Sequence, residues 1–256
     1  MTYNLHTHSF YCGHGSGTIK EYADMAEKKG FDILGFSEHI PFRDGFLSKS
    51  RMPYGDYVSY ENDVKKEKER RPFPVLLGYE VDYFASRHGY YEEVKDRVDY
   101  LIAGTHYIFR SDGSIKGAFA LLDKEDMKYY AKQTLKALSS GLFSFFAHPD
   151  AYLSATPFDA EARAIAIDIL DTAEDLGIPL EINGNGIAQG RGYPSPDFWR
   201  LAAERNIPAV ISSDAHVVGN LDASLEKAHA FADEIGIKLL YPETFYPLTF
   251  RTEQGK

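Results

Sequence analysis

The 256-residue chain contains a single cysteine, Cys12. One cysteine excludes an internal disulfide framework and suits a reducing compartment. Long apolar runs are missing too, and none approaches the roughly 18 residues of a membrane span. Residues 1–5 show neither a charged leader nor the apolar stretch of a signal peptide. A cytoplasmic protein with no membrane association is therefore expected. Basic residues are scarce: 28 Lys and Arg stand against 38 Asp and Glu, for a net charge of −10. A nucleic-acid surface needs a basic stripe, so no nucleic-acid partner is expected. The same acidity tolerates a small anionic substrate, because bound metal cations reverse the local field. Neither Gly-x-Gly-x-x-Gly nor a Walker loop follows a strand-like run, so the usual mark of a nucleotide fold is lacking. Repeats, low-complexity segments and composition breaks are absent as well. One domain over residues 1–256 is expected, a size that α/β barrels reach undivided.

What is present is ordered. Hydrophobic residues make up 44% of the chain, an ordinary share for a packed core. Short apolar runs at 3–8, 31–37, 74–81, 100–105, 143–147, 179–183 and 208–213 read as strands. Between them, 18–29, 57–71, 90–97, 124–140, 159–176, 195–205 and 221–234 have helical spacing. The first shows Ile19, Tyr22, Ala23 and Ala26 on one face and stops at Gly30. Residues 40–54 and the 111–114 turn read as irregular, the charge run 65–71 as a solvated face, and 238–251 as a terminal segment. Seven strand–helix rounds imply parallel strands in a barrel-like α/β architecture, with an open doubly wound sheet as the alternative.

The histidines are distributed unevenly. His6, His8, His14, His39, His106, His148 and His216 fall at or just after strand ends, and only His88 and His229 do not. His6 and His8 are two apart, the spacing that puts both imidazoles on one side of a strand. Glu80 and Asp214 fall at equivalent strand ends. The C-terminal face of a barrel is where active-site groups converge. Imidazoles with a few carboxylates suit zinc, iron or manganese. A bridging carboxylate would hold two cations about 3.5–4 Å apart, generating a nucleophilic hydroxide and neutralising phosphoryl oxygens. Hydrolysis of a phosphate ester is the reaction class this suggests.

His6-x-His8, Ser37-Glu38-His39, Gly78-Tyr79-Glu80, Gly104-Thr105-His106-Tyr107, His148-Pro149-Asp150 and Ser213-Asp214-Ala215-His216 resemble the polymerase-and-histidinol-phosphatase (PHP) superfamily in its own order. The stretch from Phe10 to Gly15 and Tyr193-Pro194-Ser195 resemble its histidinol-phosphatase branch; Asn4 departs from the Asp of many members. The resemblance implies a distorted (β/α)7 barrel with three divalent metal ions. His6, His8, Glu80 and Asp214 would hold the first, Glu80, His106 and His148 the second, and His14, His39 and His216 the third. It implies a phosphatase that converts L-histidinol phosphate to L-histidinol through a metal-bridging hydroxide, in histidine biosynthesis, with Asp214 and His216 as catalytic residues. The alternative substrate is another small phosphate monoester, a nucleotide or sugar phosphate. A polymerase-attached module is disfavoured by the acidic charge. A phosphate also wants a bidentate cation; Arg191 is the first candidate, then Arg163 and Arg43. Cys12 is read as a packing residue.

Overall fold

The computed structural model describes residues 2–241, so residues 242–251 of the terminal segment expected above lie outside the described residues. Strands β1 (Tyr3–Asn4), β2 (Ile33–His39), β3 (Val75–Val81) and β4 (Tyr100–Ala103) form a parallel sheet in chain order. An antiparallel hairpin follows, β5 (Tyr107–Phe109) with β6 (Ile115–Gly117). Strands β7 (Leu180–Asn183) and β8 (Ala209–Ser212) form a parallel pair. Single bridges close the ring: Ala103 to Phe146, Phe146 to Leu180, and Thr7 to Ala215. The result is the distorted (β/α)7 barrel expected from the sequence. Among the described residues no helix is long and apolar enough to cross a membrane.

Helices α1 (Ile19–Lys29), α2 (Tyr57–Arg70), α3 (His88–Lys95), α4 (Lys124–Leu138), α5 (Ala160–Leu176), α6 (Gly184–Ala188), α7 (Pro196–Ala203) and α8 (Leu225–Ile235) accompany the strands. Their ends follow local chemistry. Thr18 and Glu21 form a reciprocal capping box on α1, which stops at Gly30 with φ 69°. Asp159 accepts from the Ala162 N–H at the start of α5.

Strand parity divides the core. Phe36, Leu77, Tyr79, Leu180 and Ile182 face the helices in one apolar cluster. Ile33, Leu76, Tyr100, Ile102 and Val210 fill the barrel interior in another. All positions of β2, β3, β4, β7 and β8 are buried, as parallel strands covered on both faces must be. Along β3 the inner positions are Leu76, Gly78 and Glu80, and along β2 they are Ile33, Gly35, Ser37 and His39. The polar rim is therefore the top layer of the same face that forms the apolar interior, one register step further on.

Three expectations need correction. Regular pairing in the 3–8 run covers only Tyr3 and Asn4. The Asn4 side chain intervenes: Oδ1 accepts from the His6 N–H at 3.3 Å, and Nδ2 donates to Thr7 Oγ1 at 2.8 Å and Ser213 Oγ at 2.7 Å. Such local bonds compete with a ladder. The 143–147 run contributes only the Phe146 bridge. The 65–71 charge run is not simply a solvated face: Glu67 is buried, and Arg71 pairs with Asp24 and Glu27 at 2.6 Å each, tying α2 to α1. The β5–β6 hairpin goes beyond the sequence expectation, which contains only its 111–114 turn.

Candidate metal centre

Of the predicted metal-binding side chains six are buried, His106 and His216 are partly exposed and His14 is exposed, and all lie at the same end of the barrel. His6, His8, Glu80, His148 and Asp214 are at most 6% exposed, and His39 7%. His6 and His8 flank the Thr7 bridge, so extended backbone turns both rings inward even without a regular ladder. In register, His39 of β2 stands beside Glu80 of β3.

Four atoms form the floor of the site. His6 Nε2 lies 3.0 Å from His8 Nε2, 3.3 Å from Glu80 Oε2 and 3.5 Å from Asp214 Oδ1. His8 Nε2 lies 3.4 Å from both carboxylate oxygens. A tetrahedral cation with bonds of about 2.0–2.1 Å separates its ligand atoms by about 3.3 Å, so these five distances match edges of one coordination sphere. Glu80 Oε2 also lies 3.0 Å from His39 Nδ1, yet it is buried with no hydrogen-bond donor. Such an orphaned carboxylate oxygen is costly unless a cation meets it. The other oxygen, Oε1, is 3.2 Å from His106 Nε2 and 3.0 Å from His148 Nε2. Glu80 thus faces two histidine sets at once. His14 Nε2 and His216 Nε2 are 3.1 Å apart, and His216 stacks on His8 with ring centroids 4.4 Å apart. The donor set, imidazole nitrogens and carboxylate oxygens, fits divalent cations such as zinc.

Electrostatics bind the cluster together. Burial works to lower the His6 imidazole, but Glu181, Asp214 and Glu80 outweigh it and raise it well above its ordinary value. Burial likewise opposes ionisation of Glu80, but His106, His6 and His39 hold it well below the usual carboxylate range. His148 and Asp214 adopt left-handed backbone, with φ of 33° and 50°. Non-glycine residues in such conformations cost about 1–3 kcal/mol each and cluster at functional sites. Gly104 supplies room: a Cβ there would sit 2.5 Å from Glu80 Oε1 and 2.9 Å from the His148 ring.

The floor opens into a cavity of about 270 Å³ whose wall includes Phe119, Asn185, Gln189, Arg191 and Tyr193. Arg191 belongs to this wall, its guanidinium 5.4 Å over the Phe119 ring and donating to Tyr193 Oη at 3.0 Å. Arg43 and Arg163 do not. Arg43 is an exposed surface residue paired with Glu93 at 2.6 Å, and Arg163 is exposed on α5. Both candidate assignments are corrected on position: neither residue lines the cavity. Cys12 is buried, with Sγ accepting from the Gly15 N–H at 3.0 Å, and burial as the leading cause pushes its thiol up to about 12.

Sequence reasoning missed a set of orienting carboxylates. Asp82 accepts from the His106 N–H at 2.9 Å and lies 3.3 Å from its Nδ1, while pairing with buried Arg51 at 3.0 Å. Glu38 lies 3.7 Å from His8 Nδ1 and accepts from Ser9 Oγ at 2.6 Å. Glu181 accepts from His6 Nδ1 at 2.8 Å. Glu38 and Asp82 lie at strand ends, a signal that could have been read, whereas Glu181 lies inside β7. Phe119 was missed because it follows the unforeseen hairpin.

Residues 4–185 match the family model described as the PHP domain. The chain is 30% identical over 249 residues to a protein of Deinococcus radiodurans named probable histidinol-phosphatase, covering 90% of each. It is 26% identical to the histidinol-phosphatase of Bacillus subtilis, covering 86% of this chain and 96% of that one. Its fold is similar to a histidinol phosphate phosphatase of Lactococcus lactis solved with zinc, L-histidinol and phosphate, at TM-score 0.70 and 17% identity, covering 93% and 95% of the two chains.

Proposed function

We propose that this chain, which belongs to the PHP domain family and is a metal-dependent phosphatase, hydrolyses L-histidinol phosphate to L-histidinol and phosphate. The observation that carries the metal-dependent chemistry is the set of edge distances among His6, His8, Glu80 and Asp214. The leaving group is supported by the names of the two relatives and by the ligands of the Lactococcus lactis structure. In this reading residues 1–256 are one catalytic domain that works in the cytoplasm, in histidine biosynthesis.

Three cation sites are proposed. His6, His8, Glu80 and Asp214 serve the first, Glu80, His106 and His148 the second, and His14, His39 and His216 the third. Zinc, iron and manganese all suit such donors. When bound, such cations would supply a hydroxide nucleophile at neutral pH and neutralise phosphoryl oxygens. The chain's own residues do the rest. Glu80, with one oxygen toward each histidine set, fixes the spacing of the floor. Arg191 presents N–H donors from the cavity wall to the outer phosphate oxygens, a geometry that a guanidinium suits better than an ammonium. Phe119 backs the guanidinium with its ring and limits its swing. Asp214 lines the same cavity as a carboxylate, kept ionised against the effect of burial by His6, His216 and His8, and is positioned to take a proton from the attacking nucleophile and relay it to the departing alcohol oxygen.

Initial rates on L-histidinol phosphate and on an aryl phosphate, measured side by side in metal-replete protein, test the assignment. A marked preference in kcat/KM for histidinol phosphate is expected. Comparable values would move the reading to a phosphatase of nucleotide or sugar phosphates.

A further inference from the structure

Glu181 has no role in the reaction as described, yet it is fully buried. Among the described residues its one ion-pair partner is His6. A buried carboxylate without an Arg or Lys partner is tolerated only when hydrogen bonds compensate it. Glu181 has those bonds, and their destinations are informative. Oε1 accepts from His6 Nδ1 at 2.8 Å. Oε2 accepts from the main-chain N–H of His148 at 3.0 Å and from Asn183 Nδ2 at 2.9 Å. Asn183 Nδ2 in turn lies 3.3 Å from Asp214 Oδ2.

A carboxylate only accepts, so Nδ1 of His6 carries a proton, and Nε2, which faces Glu80, Asp214 and His8, is the nitrogen left to ligate a cation. The second oxygen restrains His148 where its backbone is left-handed, at φ 33°. Glu38 and Asp82 each approach a single histidine of the cluster, whereas Glu181 holds one from each of two ligand sets. We propose that Glu181 is a positioning residue that locks the first and second cation sites at a fixed separation. This rests on the cation sites proposed above.

The test compares wild type, Glu181→Gln and Glu181→Asp as metal-loaded, full-length protein. Manganese release to a competing chelator, turnover of L-histidinol phosphate in excess manganese, and the unfolding midpoint after chelation are measured. For Glu181→Gln, affinity for two cations is expected to fall about tenfold to hundredfold, as when other metal-orienting partners are removed. The kcat should fall with it, while KM and the unfolding midpoint of the chelated protein stay at wild-type values. Glu181→Asp keeps the charge and should recover part of the affinity. Wild-type cation affinity in Glu181→Gln would overturn the proposal. So would a fall in the chelated midpoint that accounts for the whole loss. If wild type holds the cations but leaves L-histidinol phosphate intact, the substrate reading fails while the release comparison still decides the role of Glu181.

Discussion

The floor and the wall of the cavity are built differently. On the floor, His6, His8, Glu80 and Glu181 are buried, and their donors and acceptors face one another or a backbone amide. On the wall, Arg191 is exposed and held by one hydroxyl and two aromatic rings, Phe119 and Tyr193. The floor is the more constrained, because His39 and Glu80 are set by strand register and carboxylates stand behind His6, His8 and His106. The wall is set by loop conformation, where substrate choice commonly resides. Metal binding and substrate affinity should therefore separate by mutation.

The largest effect is expected on the floor. Glu80→Gln should release bound metal and reduce turnover more than about a hundredfold, beyond the range seen when an orienting partner is removed. Elemental analysis with kinetics checks it, and full metal content with full turnover would break the contrast. Gly104→Ala reaches the floor without replacing a ligand. The added Cβ would meet Glu80 Oε1 at 2.5 Å, so metal affinity should fall about tenfold or more. Arg191→Ala addresses the wall. Loss of charge-assisted bonds worth about 1.5–3 kcal/mol should raise KM at least about tenfold and leave metal content intact. An unchanged KM would place the phosphate clamp elsewhere. Smallest of all, Arg43→Ala and Arg163→Ala should leave kcat and KM within about twofold. The Arg43–Glu93 pair is exposed to solvent, where an ion pair contributes little, and its loss is felt locally if at all.

The same contrast explains what could be read from the sequence. The floor was legible because a strand's period of two carries an inward-facing series, such as Leu76, Gly78 and Glu80, from the apolar interior to the rim. Histidines gathered at strand ends made that rim visible. The wall was less legible, since any arginine in a loop competes equally until the fold is known; Arg191 reached the cavity, but Arg43 and Arg163 did not. Strand boundaries failed for identifiable reasons. Asn4 diverts its neighbours into local bonds, and Phe146 is the lone bridging residue of its run. The hairpin behind Phe119 escaped because its two strands have only three residues each, too short for a clear alternation.

Barrel closure has a consequence for how the molecule comes into being. Thr7 pairs with Ala215, and the Asn4 side chain reaches Ser213, 209 residues along the chain. A ribosome delivers His6 and His8 first, and Asp214 and His216 only roughly 200 residues later. Contacts of such sequence separation form late and slow folding. Until they form, β1 and β7 expose unpaired edges, the feature that invites association with other chains. The seam that completes the floor is thus also the last safeguard against aggregation. A polypeptide stopped before Ala209 should be recovered as aggregate rather than as a smaller, inactive barrel.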